Sequence, residues 1–185
     1  PGTTRRDPGV EAAPNRLNRD FMATEPNEKW VTDFSYIETM EGWLYFAVVL
    51  DLFSRKIIGW AMSKTMDTAL VKTALRMALL ERQPPAGLLH HSDQGSQYTS
   101  SDYLTCLNEA LAQLSMSGAG NCYDNAVVES FFATLKTECV IASFPTRALA
   151  RTTIFEYVEV WYNRQRFHST LGYYSPVQFE QQFSS

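Results

Sequence analysis

Residues 30–37 read Trp-Val-Thr-Asp-Phe-Ser-Tyr-Ile, a strand-like run with a carboxylate, Asp33, in its middle. Period-two alternation puts Val31, Asp33, Ser35 and Ile37 on one face and Thr32, Phe34 and Tyr36 on the other. An ionised carboxylate buried in mid-strand without a partner costs on the order of several kcal/mol. Asp33 therefore either lies on an edge strand facing water or has a chemical task. The neighbouring run, Leu44 to Leu50, is continuously apolar, as in a strand covered on both faces. A third candidate strand follows at 56–63. Gly42 and the segment from Asp51 to Arg55 supply turn chemistry, so strands near 30–38, 43–51 and 56–63 are expected to form an antiparallel meander.

Downstream the period changes. From Asp67 to Arg82, Leu70, Ala74, Met77 and Leu80, flanked by Val71, Leu75, Ala78 and Leu79, make a helical stripe that Pro84-Pro85 ends. A short strand leads to Asp93. A helix is expected near 101–112, with Tyr103, Leu104, Leu107 and Leu111 inward, then a fifth strand at Gln113–Met116. After the small-residue loop 117–121 come a helix bearing Glu129 and a longer one over about 147–164. The order β-β-β-α-β-α-β-α-α predicts an α/β chain with a mixed sheet covered by helices. Residues 1–26, with Arg5, Arg6, Arg16 and Arg19, read as an arm or linker, and 27–185 as the folded core with a C-terminal helical extension. Trp43, Trp60 and Trp161 are assigned to packing.

The bulk properties narrow the class. With 185 residues, 45% apolar and 13% aromatic, the chain can bury a real core. A formal charge of −4 speaks against a strongly basic DNA-binding domain but not against an enzyme. Cys106, Cys122 and Cys139 lack zinc-type spacing and read as reduced thiols. No apolar run is long enough to span a membrane and no signal peptide is visible, so a cytoplasmic protein is expected.

Two further acids resemble Asp33 in their setting. Asp93 ends the run Leu88-Leu89-His90-His91-Ser92, and Glu129 lies near the start of a helix, with 35 residues between the two. Three acids brought within a few Å raise one another's pKa values, and a divalent cation removes that conflict. Oxygen donors without His or Cys select Mg²⁺ or Mn²⁺, and a pair of such ions can activate the attacking oxygen and stabilise the leaving one at a phosphodiester. Asn125, Glu129, Phe132 and Lys136 share one helix face, which places Lys136 where a DNA phosphate would pass. Asp124 or Asn125 is expected to cap that helix.

Four motifs then carry a resemblance. They are Trp-Val-Thr-Asp-Phe-Ser-Tyr (30–36), His-Ser-Asp-Gln-Gly-Ser-Gln-Tyr (91–98), Asp-Asn-Ala-Val-Val-Glu-Ser-Phe-Phe-Ala-Thr-Leu-Lys (124–136) and Tyr-Asn-Arg-Gln-Arg-Phe-His-Ser-Thr-Leu-Gly (162–172) with Ser175-Pro176. In that order they resemble the catalytic signature of insertion-sequence transposases of the IS-three group, bacterial DDE enzymes related to retroviral integrases. The resemblance implies a ribonuclease-H-like fold, a five-stranded mixed sheet flanked by helices. It also implies metal ligation by Asp33, Asp93 and Glu129 with two Mg²⁺ or Mn²⁺ ions, and DNA contact by Lys136. Asn125 and Tyr98 become substrate-positioning candidates, and Arg164, Arg166 and His168 candidates for gripping DNA backbone. The implied reaction is phosphodiester hydrolysis at an element's end, then attack of the freed 3′-hydroxyl on a second phosphodiester. The implied partners are transposon-end and target DNA and further copies of the chain, in a bacterial cytoplasm at the nucleoid, with no membrane.

The chain departs from that group in two places. Nothing in it resembles the group's N-terminal helix-turn-helix region, and Ser117-Gly118-Ala119-Gly120 stands where basic residues usually precede the glycine. Two other readings remain open on the sequence: a catalytically silent DNA-binding or assembly domain, and a ribonuclease H. The second needs a fourth acid, from Asp51 or Glu138.

Overall fold

Strand β1 (Lys29–Thr39) uses both of its edges and forms the middle of a five-stranded sheet. On one side it pairs antiparallel with β2 (Gly42–Asp51), from Trp30 against Asp51 to Thr39 against Gly42, and β2 pairs antiparallel with β3 (Ile57–Ser63). On the other side it runs parallel to β4 (Leu89–Ser92), which runs parallel to β5 (Gln113–Met116). The order β3-β2-β1-β4-β5 is the mixed sheet the sequence predicts, with the meander on one side. The computed structural model describes residues 9, 11–140 and 142–184. Arg5 and Arg6, expected in an N-terminal arm, lie outside them.

Alternation along β2 explains its unbroken apolar run. Leu44, Phe46, Val48 and Leu50 face one layer, with Phe131, Phe132, Leu135 and Ile154; Ala47 and Val49 face the other, with Leu70, Ala74, Leu75 and Tyr103. The first layer belongs to helices α4 (Ala126–Glu138) and α5 (Arg147–Glu156), the second to α1 (Thr68–Arg82) and α3 (Ser101–Glu109). Each fully enclosed large apolar side chain contributes about 1.5–3 kcal/mol, so a strand inward on both faces is held doubly. β3 lies so close to α1 that a Cβ on Gly59 would stand 2.2 Å from the carbonyl oxygen of Ala74.

Helix ends follow local chemistry. Asp67 caps α1 by accepting from the Leu70 N–H at 3.0 Å, and Gln83 ends it in the left-handed region, with φ 43°. The buried stripe of α1 is Leu70, Val71, Ala74, Leu75 and Ala78, while Leu80, expected inward, is 78% exposed. α3 stops at Glu109, short of the expected 112, because Leu111 turns left-handed at φ 56°. Leu111 is thereby thrown outward, and Cys106 takes the inner position. A one-turn helix, α2 (Ser96–Thr99), which the sequence reading did not anticipate, precedes α3.

The expected helix over 147–164 is two structures. Regular α geometry ends at Glu156 and a π turn, Tyr157–Tyr162, continues it with Tyr157, Val158 and Tyr162 all buried. Next to it Asn163 pairs its side chain with both backbone groups of Ile57, donating to the carbonyl and accepting from the N–H, each at 2.9 Å. Helix α6 (Pro176–Phe183) starts with a capping box between Ser175 and Gln178. It is anchored through Glu180, which accepts from Arg82 and Ser54, while Arg82 also bonds the fully buried Asp51 at 2.9 Å. The N-terminal segment lies on the core: Leu17 is buried, and the Ser115 hydroxyl accepts from the N–H groups of Arg16 and Leu17.

The packing assignment holds for Trp60, which packs against the core and the Phe155 ring, and less for Trp43 and Trp161. Trp43 and Trp161 are each 44% exposed and Trp60 is half-buried, whereas Trp30 is fully enclosed. Trp60 donates its N–H to Glu159 in a part-buried bond, and Trp161 donates its own to Glu138 at the surface.

Candidate catalytic site

The last pair of the parallel β1–β4 ladder is Val31 with His91, so Asp33 and Asp93 each stand two residues beyond it, side by side where β4 ends. Asp93 turns the chain, its Oδ1 accepting from the Gly95 N–H at 2.7 Å, and Asp33 Oδ1 accepts from the Phe34 N–H at 2.8 Å. Glu129 lies in the first turn of α4, and the start of that helix is tied to β1. Asn125 Nδ2 donates to the carbonyl of Thr32, next to Asp33, at 3.2 Å. All three acids therefore hang from the central strand or from groups bonded to it.

Asn125 occupies the helix N-cap position, yet its side chain makes no capping bond: Nδ2 donates to Thr32, and Oδ1, the atom a cap would use, is buried without a partner among the described residues. Asp124 does not cap α4 either: its two oxygens accept from the Gly118 N–H at 3.0 Å and from Arg19 Nε at 2.9 Å. The helix is instead entered from the 3-10 turn Cys122–Asn125, which Asn121 caps by accepting from the Tyr123 N–H. Asp124 thus fixes the shape of the loop whose basic residues the sequence lacks.

The electrostatics mark the same place. Burial first, then the charge of Asp93 and, more weakly, that of Glu129, push the Asp33 carboxyl up to about 8, against a partial offset from the Phe34 N–H. Burial also raises Asp93 and Glu129 above their ordinary values. One oxygen of each aspartate and both of Glu129 accept no hydrogen bond from the described residues. That set of free, hard, mutually repelling oxygens fits a divalent cation such as Mg²⁺ or Mn²⁺. Among the described residues no three His, Cys, Asp or Glu side chains converge tightly enough to enclose an ion by themselves. The site is thus an open row of acids.

The remaining candidates divide. Lys136 is exposed on α4, with its ammonium 5.4 Å from the centre of the Tyr36 ring on β1. Tyr98 is a correction: its ring is wholly buried between Phe34 and Tyr103, so it offers no surface to DNA. Arg164 is exposed. Arg166 is held by Glu138, Nε to Oε1 at 2.9 Å, and half-buried His168 lies edge-on to Tyr162. Burial first, with the charges of Arg166 and Arg55, holds His168 down to about 4, so it is neutral near pH 7. Neither candidate for the fourth acid of a ribonuclease H is free: Asp51 is consumed by Arg82 and two backbone N–H groups, and Glu138 by Tyr157, Trp161 and Arg166.

Comparison with known proteins points the same way. A profile of the integrase core domain matches residues 23–122, and a second integrase core domain profile matches 129–183. Transposase InsF of insertion sequence IS3fB from Escherichia coli K12 is 49% identical over 175 residues, covering 94% of this chain and 61% of that protein. The transposase of insertion sequence element IS904 from Lactococcus lactis is 52% identical over 168 residues, covering 90% of this chain and 66% of that protein. The chain therefore spans somewhat under two thirds of the curated relatives it matches. Among solved structures, the simian T-cell lymphotropic virus intasome in complex with PP2A regulatory subunit B56 gamma aligns with a TM-score of 0.72 at 15% identity, over 95% of this chain and 60% of that one. The HTLV-2 integrase catalytic core domain in complex with magnesium, in its dimeric form, aligns with a TM-score of 0.61 at 14% identity, over 86% and 99%. The fold is ribonuclease-H-like, as in those retroviral cores.

Proposed function

Because the chain belongs to the integrase core domain family, we propose that it is the catalytic core of a bacterial DDE transposase, cutting DNA strands and joining them by transesterification. The observation that carries this reading is the placement of Asp33 on β1 and Asp93 just past the end of the parallel strand β4, each two residues beyond their last paired position, with Glu129 on a helix bonded to β1. Its similarity to insertion-sequence transposases supports DNA as substrate, and the magnesium named for the HTLV-2 core supports a divalent ion as cofactor.

Asp33, Asp93 and Glu129 would hold two Mg²⁺ or Mn²⁺ ions, which supply Lewis-acid activation of an attacking oxygen and offset charge on the leaving one. The chain itself contributes order and exclusion. β1 holds Asp33 by its pairing with Val48 of β2, just past the end of the ladder to β4, and the Asn125 bond to Thr32 keeps α4 from carrying Glu129 away. Lys136, two turns beyond Glu129 on the same face, meets a backbone phosphate and holds the strand across the acids. No protein nucleophile is required: the attacking group is water in the first step and a DNA 3′-hydroxyl in the second. Action on paired DNA ends implies at least two copies of the chain, as the intasome likeness suggests.

Mn²⁺ binding measured by calorimetry on the chain and on Asp33→Asn is the test. Binding that disappears in the variant is expected. Absence of binding at millimolar Mn²⁺, with DNA present as well as without it, would sink the catalytic reading and favour a silent assembly domain.

A further inference from the structure

On the far side of α4 from Glu129 lies a cavity of about 560 Å³, walled by α4, the end of the π turn and the segment after it. At 100° per residue, Ser130 and Thr134, which line it, sit roughly 100–140° around the helix from Glu129. The cavity is therefore separate from the row of acids. Its size falls in the range of small-ligand sites, about 300–1,000 Å³.

One wall is Arg55, at the end of the β2–β3 turn, in a left-handed conformation with φ 62°. Its Nη1 is enclosed and meets no hydrogen-bond partner among the described residues, and none of their ion pairs involves it. Burying a guanidinium without an anion is costly, and folded chains normally supply a carboxylate. Among the described residues none does: no Asp or Glu of theirs lines the cavity. His168 Nε2, on the same wall, is likewise enclosed and unpartnered. Arg55 and the neutral His168 thus line one space with the hydroxyls of Ser130 and Thr134, and the cation there has no charge partner among the described residues. On the rim Phe167 and Tyr173 are 63% and 71% exposed, presenting flat apolar faces to solvent.

We infer that this cavity is a nucleotide subsite, in which Arg55 takes a backbone phosphate of a DNA strand while Phe167 and Tyr173 offer the faces on which the adjoining base stacks. An anion answers the unpaired cation, a planar base answers the exposed rings, and a nucleotide joins the two at the right scale. The inference rests on the reading of the chain as a DNA-processing core. It adds a contact remote from the acids, by a residue that the motif resemblance does not include. A strand held here and at Lys136 would wrap α4 from both sides.

The test uses the full chain and two probes, a short fluorescent single-stranded oligodeoxynucleotide read by anisotropy and inorganic phosphate read by calorimetry. Arg55→Met removes the cation, and Ser130→Glu, at an exposed position, puts an acid into the cavity without emptying the core. Each variant is expected to weaken oligonucleotide binding roughly tenfold or more and to reduce its salt dependence by about one phosphate contact. Mn²⁺ binding should stay unchanged in both. Unaltered oligonucleotide affinity in Ser130→Glu overturns the subsite, as does inorganic phosphate binding as tightly as the strand, which would mark a small-anion site. Loss of Mn²⁺ binding by the unmodified chain would instead strike the catalytic reading, so the two failures are told apart.

Discussion

Replacing Asp33 by Asn should make the protein more stable while removing its chemistry. The two side chains are nearly the same size, and Asn keeps an oxygen for the Phe34 N–H. The difference is charge. Asp33 titrates at about 8 in the folded chain against 3.8 for an ordinary aspartate, so as pH rises the unfolded chain releases its proton first. The folded state then carries a penalty that grows from about pH 4 and levels off near about pH 8. Taken at face value the gap is a ceiling of about 6 kcal/mol, and solvent reaching this half-buried crevice reduces it to about 2 kcal/mol. Urea midpoints across that window, in chelator, should show the unmodified chain losing stability relative to Asp33→Asn as pH rises. The two should coincide near about pH 4 and differ by about 2 kcal/mol near about pH 8. Mn²⁺ should then raise the midpoint of the unmodified chain alone. A difference between the two that does not change with pH, or a variant less stable than the unmodified chain near neutral pH, would show that Asp33 is not held against its charge.

Glu129→Gln should leave the circular dichroism spectrum unchanged and abolish strand transfer in an oligonucleotide joining assay, since Glu129 is exposed and supports no packing. Arg82→Ala should destabilise the fold by about 3–5 kcal/mol in denaturant titration, because it strands the buried Asp51 and frees Glu180 together. Gly59→Ala forces a Cβ against the Ala74 carbonyl, and a loss of at least about 3 kcal/mol, read as a lowered melting temperature, is expected.

The sheet was legible because its signals are local. The apolar run 44–50, the turn chemistry around it and the acid inside 30–37 each report a backbone state, and β5 falls at the expected bounds, Gln113–Met116. The placement of Asp33 beside Asp93 came from motif order, and the register now gives it a cause. What the sequence did not reveal depends on contacts between distant segments. Tyr98 follows an acid in its motif as a substrate-positioning candidate, but it is enclosed by Phe34 and Tyr103 from other elements. Asn125 reads as a cap, and only the proximity of Thr32 draws its amide away. Arg55 sits in a turn segment where a cation is ordinary, and no local pattern shows that the end of the π turn closes over it.

The π turn at Tyr157–Tyr162 makes this chain count its residues. Removing one of them would let the ladder close as a regular α-helix, and everything from Asn163 onward would swing by about 100° and slide by about 1.5 Å. Asn163 would leave Ile57 and the wall bearing Arg166 and His168 would turn away from Arg55, although no side chain had changed its identity. Substitution can therefore explore this segment while deletion cannot. Homologous chains of this group should vary here in letters and agree in length.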